Sequence, residues 1–159
     1  MHFSKTLLAS AFILGLGLGA ANVALAAETA GHAGHQATEF VLTLNNGAKW
    51  QGDDNMIRGM DAIRSTLAPH VAAVHGGSLS AEQYQALASG ITDQVDFMVT
   101  NCKLTPETDE QFHMVLGQVL DGVHEMETGP DRAAGAVRIA SALNAYGDYF
   151  VHPGWQPLD

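Results

Sequence analysis

The chain has 159 residues and a formal net charge of −10 at pH 7. This acidity argues against nucleic acid and against an anionic membrane surface as partners, because both carry charge of the same sign. The single cysteine, Cys102, excludes an internal disulfide, so it is buried, bound to a metal or paired with another chain. We expect no enzyme, since the sequence offers no phosphate-binding glycine loop, no Ser-His-Asp pattern and no pair of buried carboxylates.

Residues 1–26 have the pattern of a secretory signal peptide. Lys5 precedes a long apolar run, and Ala24 and Ala26 form an A-x-A cleavage site. The run is rich in Gly and Ala and no basic cluster follows it, which disfavours a membrane anchor. We expect cleavage near Ala26 and export to a periplasm, with no membrane contact afterwards. Loss of Lys5 makes the net charge more negative by one, −11, and about 130 residues remain, enough for one domain.

Residues 27–49 are predicted to be a histidine-containing flexible arm and a lead-in to the domain. The arm is small, polar and aperiodic, which is typical of disorder, and its His32 and His35 either bind a metal loosely or belong to a plain leader. The stretch "FVLTLNNGAKW" that follows is apolar around an Asn-Asn-Gly turn, so we expect it to pack on the domain as an extended segment.

Residues 50–159 are predicted to form an all-α, up-down-up-down antiparallel four-helix bundle with a C-terminal tail. Connections of two to eight residues force neighbouring helices to run antiparallel. Capping and helix-breaking residues predict the bounds of the four helices. The first runs from Asp53 to Val74 and is ended by Gly76 and Gly77, and the second starts at Ser80 with Gln83. The third starts at Thr105 and Pro106, and the fourth starts at Pro130 and ends before Pro153. On the fourth helix the predicted core stripe is Ala133, Val137, Ala140, Leu143, Gly147 and Phe150.

This topology predicts a metal site at the end of the bundle where the first helix begins. The donors expected there are Cys102, His113, His152, Met56 and Met60, with Met98 nearby. A thiolate, two imidazoles and a weak thioether are donors that copper selects, whereas zinc prefers four firm Cys and His ligands. A metal-free alternative stays open, because Met on a helical stripe is commonly core filler and Cys commonly an inert small hydrophobe.

The segments "DDNMIRGMDAIRSTLA", "FHMVLGQVLDGVHEM" and "AAGAVRIASALNAYGDYF" resemble the first, third and fourth helices of the soluble periplasmic cytochrome b and cytochrome c-prime bundles. The chain is also similar to uncharacterised exported proteobacterial proteins with "W", "NCKL" and "HPGW" at similar places. In b-type relatives the Met matching Met56 and a His just after "NAY" bind haem, but Gly147 stands at that second place. The C-x-x-C-H run of c-type relatives is missing too.

The resemblance therefore implies a haem-less relative. Gly147 leaves room on the core stripe, and we expect a ring from His113, His152 or Trp155 to fill it. Three functions stay open: a copper protein for electron transfer with a redox partner or for copper handling; a haem-b protein using Met56 and His152; and a metal-free bundle, either a homodimer through Cys102 or a sensory accessory.

Overall fold

The computed structural model describes residues 40–159, and this part of the chain is all-α, as predicted. Its helices are α1 (Asp54–Leu67), α2 (Val71–His75), α3 (Ala81–Asn101), α4 (Pro106–Thr128) and α5 (Arg132–Tyr149), with a 3-10 turn at Ala68–His70 between the first two. No strand occurs within 40–159, and the signal peptide, its cleavage near Ala26, and His32 and His35 lie outside this range. None of its helices is both long and apolar enough to cross a bilayer.

The starts of α3 and α4 follow the predicted caps. Ser80 accepts from the Gln83 backbone N–H at 3.3 Å, and the Gln83 side chain accepts from the Ser80 N–H at 2.8 Å, which completes a capping box. At α4 the Thr105 hydroxyl accepts from the Thr108 N–H, and Pro106 occupies the first helical position. These bonds satisfy backbone donors that the first helical turn leaves without partners.

The first predicted helix is not continuous, which corrects the expectation of one helix from Asp53 to Val74. It ends at Leu67, and the chain passes through the 3-10 turn before the short α2. Pro69 lies inside that turn. A proline within a helix removes one backbone donor, and its ring clashes with the carbonyl four residues earlier. The α-helical hydrogen bonding therefore breaks here.

The buried face of α5 differs from the predicted stripe. Of the six residues predicted to form that stripe, only Leu143 and Phe150 are buried in the structure. Val137 is 43% exposed. The residues that face the core are Gly135, Ala136, Ile139, Ala142, Leu143 and Tyr146. The cause is a close approach to α4: a Cβ on Gly135 would lie 2.5 Å from the Gly122 carbonyl oxygen, so the two backbones touch there. In an Ala-rich helix this contact, rather than apolar contrast, selects the buried face.

Residues 40–50 pack on the domain as a non-helical lead-in. Leu42 is buried in the core. Trp50 donates its backbone N–H to the Tyr149 carbonyl at 2.8 Å and accepts from the Val151 N–H at 2.9 Å. The lead-in is thus hydrogen-bonded to the end of α5.

The helices pack as neighbours around one hydrophobic core. α3 contacts α1 and α4, and α5 contacts α4 extensively and α1 less so. The tail after α5 bridges α1 and α5: Arg64 of α1 donates to the Gln156 carbonyl at 2.6 Å, and Asn144 of α5 exchanges two 2.7 Å bonds with the Leu158 backbone. This path carries His152 and Trp155 into the seam between the first and last helices.

Candidate metal site

The five predicted donors lie in different surroundings. Cys102 and His113 line one cleft, His152 is bonded to side chains elsewhere, and Met56 and Met60 are fully buried in the core. Within residues 40–159, no group of three or more His, Cys, Asp or Glu side chains is arranged to hold a metal ion.

The cleft lies between the last turns of α3 and the first turns of α4 and encloses about 70 Å³. Its lining residues are Met98, Val99, Cys102, Asp109, Phe112, His113 and Leu116. Met98 lines the same cleft as Cys102 and His113, and its sulfur packs against Gly59 of α1, where an added Cβ would overlap it. Met98 was predicted to lie at this end of the bundle, but the ligand role was predicted for Met56 and Met60.

Cys102 is a half-buried, protonated thiol. Burial raises the pKa of Cys102 to about 12, helped by the negative charges of Asp53 and Asp109 and by a hydrogen bond with Asp53. A thiol at neutral pH is a poor ligand until a metal displaces its proton. Cys102 binds a metal only at the expense of its contact with Asp53.

Asp53 joins α1 to the α3–α4 turn. One carboxylate oxygen accepts from the Met56 N–H at 2.8 Å and the other from the Lys103 N–H at 2.7 Å. Burial alone would raise the pKa of Asp53, but these backbone hydrogen bonds and the bond from the Cys102 thiol outweigh it and hold the pKa below its ordinary value. The carboxylate therefore stays charged beside the thiol.

His113 lines the cleft with a side chain that is 68% exposed. Its Nδ1 lies 2.9 Å from the Asp109 carbonyl oxygen and 3.3 Å from the Asp109 carboxylate. Both oxygens are acceptors, so Nδ1 carries the proton and Nε2 keeps the lone pair of the neutral imidazole. Nε2 is thus the nitrogen that can bind a metal, with Asp109 orienting the ring.

His152 already uses both ring nitrogens. Its side chain is 3% exposed, with Nδ1 3.0 Å from the Tyr146 hydroxyl and Nε2 3.2 Å from an Asp61 carboxylate oxygen. A metal at His152 would have to displace one of these partners. Tyr146 and Asp61 were not predicted from the sequence as partners of His152. The one available signal was that Asp61 lies between two predicted core positions, Met60 and Ile63, on the first helix.

The prediction that a ring fills the space at Gly147 is confirmed, and the ring is that of Trp155. A Cβ on Gly147 would overlap the Trp155 indole. The indole Nε1 is buried and has no hydrogen-bond acceptor in the described part of the chain. The position of the tail therefore depends on residue 147 being a glycine, because a side chain there would overlap Trp155.

No family model, curated protein or solved structure matches this chain. Functional assignment therefore rests on the geometry of these side chains.

Proposed function

We propose that the chain is an exported, periplasmic copper-binding protein whose metal site is the cleft formed by Met98, Cys102 and His113. The single observation that carries this function is that a methionine, a cysteine and a histidine line the same small cleft. We further propose that the helices form an up-down-up-down four-helix bundle like those of the cytochrome b and c-prime proteins. The packing of α1 on α3, α3 on α4 and α4 on α5 supports that topology.

The donor set favours copper over zinc. Thiolate, thioether and imidazole together suit Cu(I), which accepts soft sulfur ligands and low coordination numbers. Zinc usually takes four firm ligands, and this cleft supplies one thiol, one imidazole and the carboxylate of Asp109. Asp109 is already engaged by His113 through its carbonyl oxygen and carboxylate. The soft donors therefore remain the better match.

Electrostatics makes the cleft attractive to a cation. The carboxylates of Asp53 and Asp109 raise the pKa of Cys102 because they disfavour a thiolate beside them. A bound cation reverses this effect, since its positive charge stabilises the thiolate and is itself attracted by both carboxylates. Copper binding at Cys102 thus releases one proton, and its affinity rises with pH.

Copper handling fits this cleft better than electron transfer. A rapid electron-transfer centre needs a rigid site that holds both oxidation states in one geometry. Here the side chain of His113 is 68% exposed, so one of the proposed ligands is open to solvent. A site with one solvent-exposed ligand suits uptake and release of the metal.

Haem, the cofactor of the cytochromes that the sequence resembles, does not fit the residues present. The second axial position of b-type relatives is Gly147, and the Trp155 indole occupies the space in front of it. The histidine considered as a displaced ligand, His152, is hydrogen-bonded to Tyr146 through Nδ1, and its Nε2 lies 3.2 Å from the Asp61 carboxylate.

The test is anaerobic Cu(I) titration of the mature chain against a chromophoric Cu(I) chelator. We expect one copper per chain and a loss of affinity of at least about tenfold in Cys102→Ser, Met98→Leu and His113→Gln. His124→Gln is the matched control, because this histidine lies on the same helix, α4, and is exposed. Absence of copper binding, or unchanged affinity in Cys102→Ser, would overturn the proposal. A Soret band after addition of haem would favour the cytochrome-like function instead.

A further inference from the structure

Tyr146, His152 and Asp61 form a polar cluster that the proposed copper cleft does not use. The Tyr146 hydroxyl lies 3.0 Å from His152 Nδ1, and His152 Nε2 lies 3.2 Å from the Asp61 carboxylate. Tyr146 comes from α5, His152 from the tail and Asp61 from α1. Three separate segments thus meet around one imidazole.

The neighbouring groups indicate the tautomer of His152. The Asp61 carboxylate oxygen lies 3.2 Å from Nε2 and cannot donate, so Nε2 carries the ring proton. In a neutral imidazole Nδ1 then holds the lone pair, and the Tyr146 hydroxyl donates to it. The phenol therefore faces a base, and the base is oriented by a carboxylate, as in a nucleophile–histidine–carboxylate arrangement.

Burial excludes chemistry on a bound substrate. Tyr146 has 0% of its surface exposed, so no substrate atom reaches its hydroxyl. Burial also raises the pKa of Tyr146, with help from the charge of Asp61, so the group is a phenol at neutral pH. Electron transfer coupled to proton transfer needs no substrate contact, and it is the chemistry that this arrangement permits.

An aromatic route leads from the phenol towards the surface. The Trp155 ring centroid is 5.0 Å from that of Tyr146, and the Phe150 ring is stacked on Tyr146 at 5.1 Å. Trp155 is only half-buried, and the Arg64 guanidinium lies 6.0 Å from its centroid. An external oxidant can thus approach Trp155, while the phenol of Tyr146 remains buried and out of contact with solvent.

We propose that Tyr146 is a redox-active tyrosine whose proton acceptor is His152. A high-potential one-electron oxidant takes one electron from the phenol by way of Trp155, and the O–H proton moves to His152 Nδ1. The products are the neutral Tyr146 radical, a His152 imidazolium held by Asp61, and the oxidant reduced by one electron. Return of one electron and of the proton from Nδ1 restores the phenol and the neutral imidazole.

The other tyrosines are suitable controls. The chain has three, and neither Tyr84 nor Tyr149 is hydrogen-bonded to an imidazole within the described residues. The variant Tyr84→Phe/Tyr149→Phe leaves Tyr146 as the sole tyrosine. In this variant any tyrosyl radical belongs to Tyr146.

The experiment is flash-quench oxidation by photogenerated tris(bipyridine)ruthenium(III), followed by transient absorption and electron paramagnetic resonance. We expect a tyrosyl radical in the sole-tyrosine variant, formed more slowly in D2O, and only a tryptophan radical when Tyr146→Phe is added. His152→Gln keeps a hydrogen-bond acceptor but cannot take the proton, so radical formation should slow by at least about tenfold.

Asp61→Asn supplies a second test that does not disturb the core, because the Asp61 side chain is 59% exposed. It should also slow radical formation, and Asp54→Asn on the same helix should not. A sole-tyrosine variant that yields a tryptophan radical but no tyrosyl radical would overturn the proposal. Equally fast, isotope-independent formation in both His152→Gln and Asp61→Asn would overturn it too.

Discussion

The Lys103 backbone N–H donates to the Asp53 carboxylate at 2.7 Å, while the other oxygen of Asp53 caps α1 through the Met56 N–H. One side chain therefore begins the first helix and closes the turn between α3 and α4. A second bond beside it, from the Asn55 side chain to the Asn101 carbonyl at 2.9 Å, ties the same two segments. The wall of the cleft that holds Cys102 depends on this junction.

Replacing Asp53 by Ala should lower the free energy of unfolding by about 2 kcal/mol. Loss of the cap contributes about 1 kcal/mol, and the Lys103 N–H left without its acceptor contributes about as much again. Urea denaturation measures the change. Asp54→Ala is the matched control, since Asp54 is exposed in the first turn of α1 and should change stability by under about 0.5 kcal/mol. Equal effects in the two variants would contradict the double role of Asp53.

The lowered pKa of Asp53 also predicts how stability depends on pH. A carboxyl group with a lower pKa in the folded state than in the unfolded state stabilises the fold fully above its unfolded-state pKa. That contribution is lost as pH falls through the folded-state pKa, below the ordinary value of 3.8. The stability difference between wild type and Asp53→Asn should therefore be constant near neutral pH and shrink below about pH 4. A difference that grows on acidification would contradict the charge assignment.

The helix starts could be predicted because each depends on neighbouring residues. The Ser80–Gln83 box and the Thr105 cap act within one turn of chain. Pro69 is equally local, and the break it causes was available from the sequence. The buried face of α5 was not, because it depends on contact between Gly122 and Gly135, which lie on different helices. Nothing in the spacing of alanines reveals which side a second backbone approaches.

The candidate site likewise has one part that depends on neighbouring residues and could be predicted, and one part that depends on distant contacts and could not. Cys102 and His113 flank a short turn, so their shared cleft could be predicted from topology alone. The surroundings of His152 depend on the path of the tail, which Trp155 sets by filling the space at Gly147. Prediction of that path requires the shape of the seam between α1 and α5. For this reason the contacts of His152 with Tyr146 and Asp61 could not be predicted from the sequence.

Gly147→Ala should destabilise the protein and release Trp155. Alanine is favoured over glycine in a helix by about 1 kcal/mol, but the new methyl group would overlap the indole, and overpacking costs about 1–3 kcal/mol. In a Trp50→Phe background, tryptophan emission should shift to longer wavelength as Trp155 becomes hydrated. Gly117→Ala is the control, because a Cβ on Gly117 meets nothing within 4 Å. It should stabilise α4 by up to about 1 kcal/mol and leave emission unchanged.

Gly135→Ala should be more damaging, by about 3 kcal/mol, because the obstacle is backbone. The added Cβ would lie 2.5 Å from the Gly122 carbonyl oxygen and 2.8 Å from the Met126 nitrogen, so α4 and α5 must separate. Thermal unfolding measures the loss. Gly90→Ala is the matched control, since its nearest new neighbour, a Thr66 methyl group at 3.6 Å, is at ordinary contact distance. A tolerated Gly135→Ala would contradict the close approach of the two helices.

The Cys102 thiol should be slow to alkylate in the folded protein. With the pKa of Cys102 raised to about 12, the thiolate fraction at pH 8 is at least about a hundredfold below that of an ordinary cysteine. The rate with iodoacetamide should therefore keep rising about tenfold per pH unit beyond pH 9, where a free thiol levels off. Asp53→Asn removes the nearest negative charge and should speed the reaction at pH 8. The urea-unfolded chain is the reference, and a folded protein whose rate levels off near pH 9 would show that neither burial nor Asp53 protects the thiol.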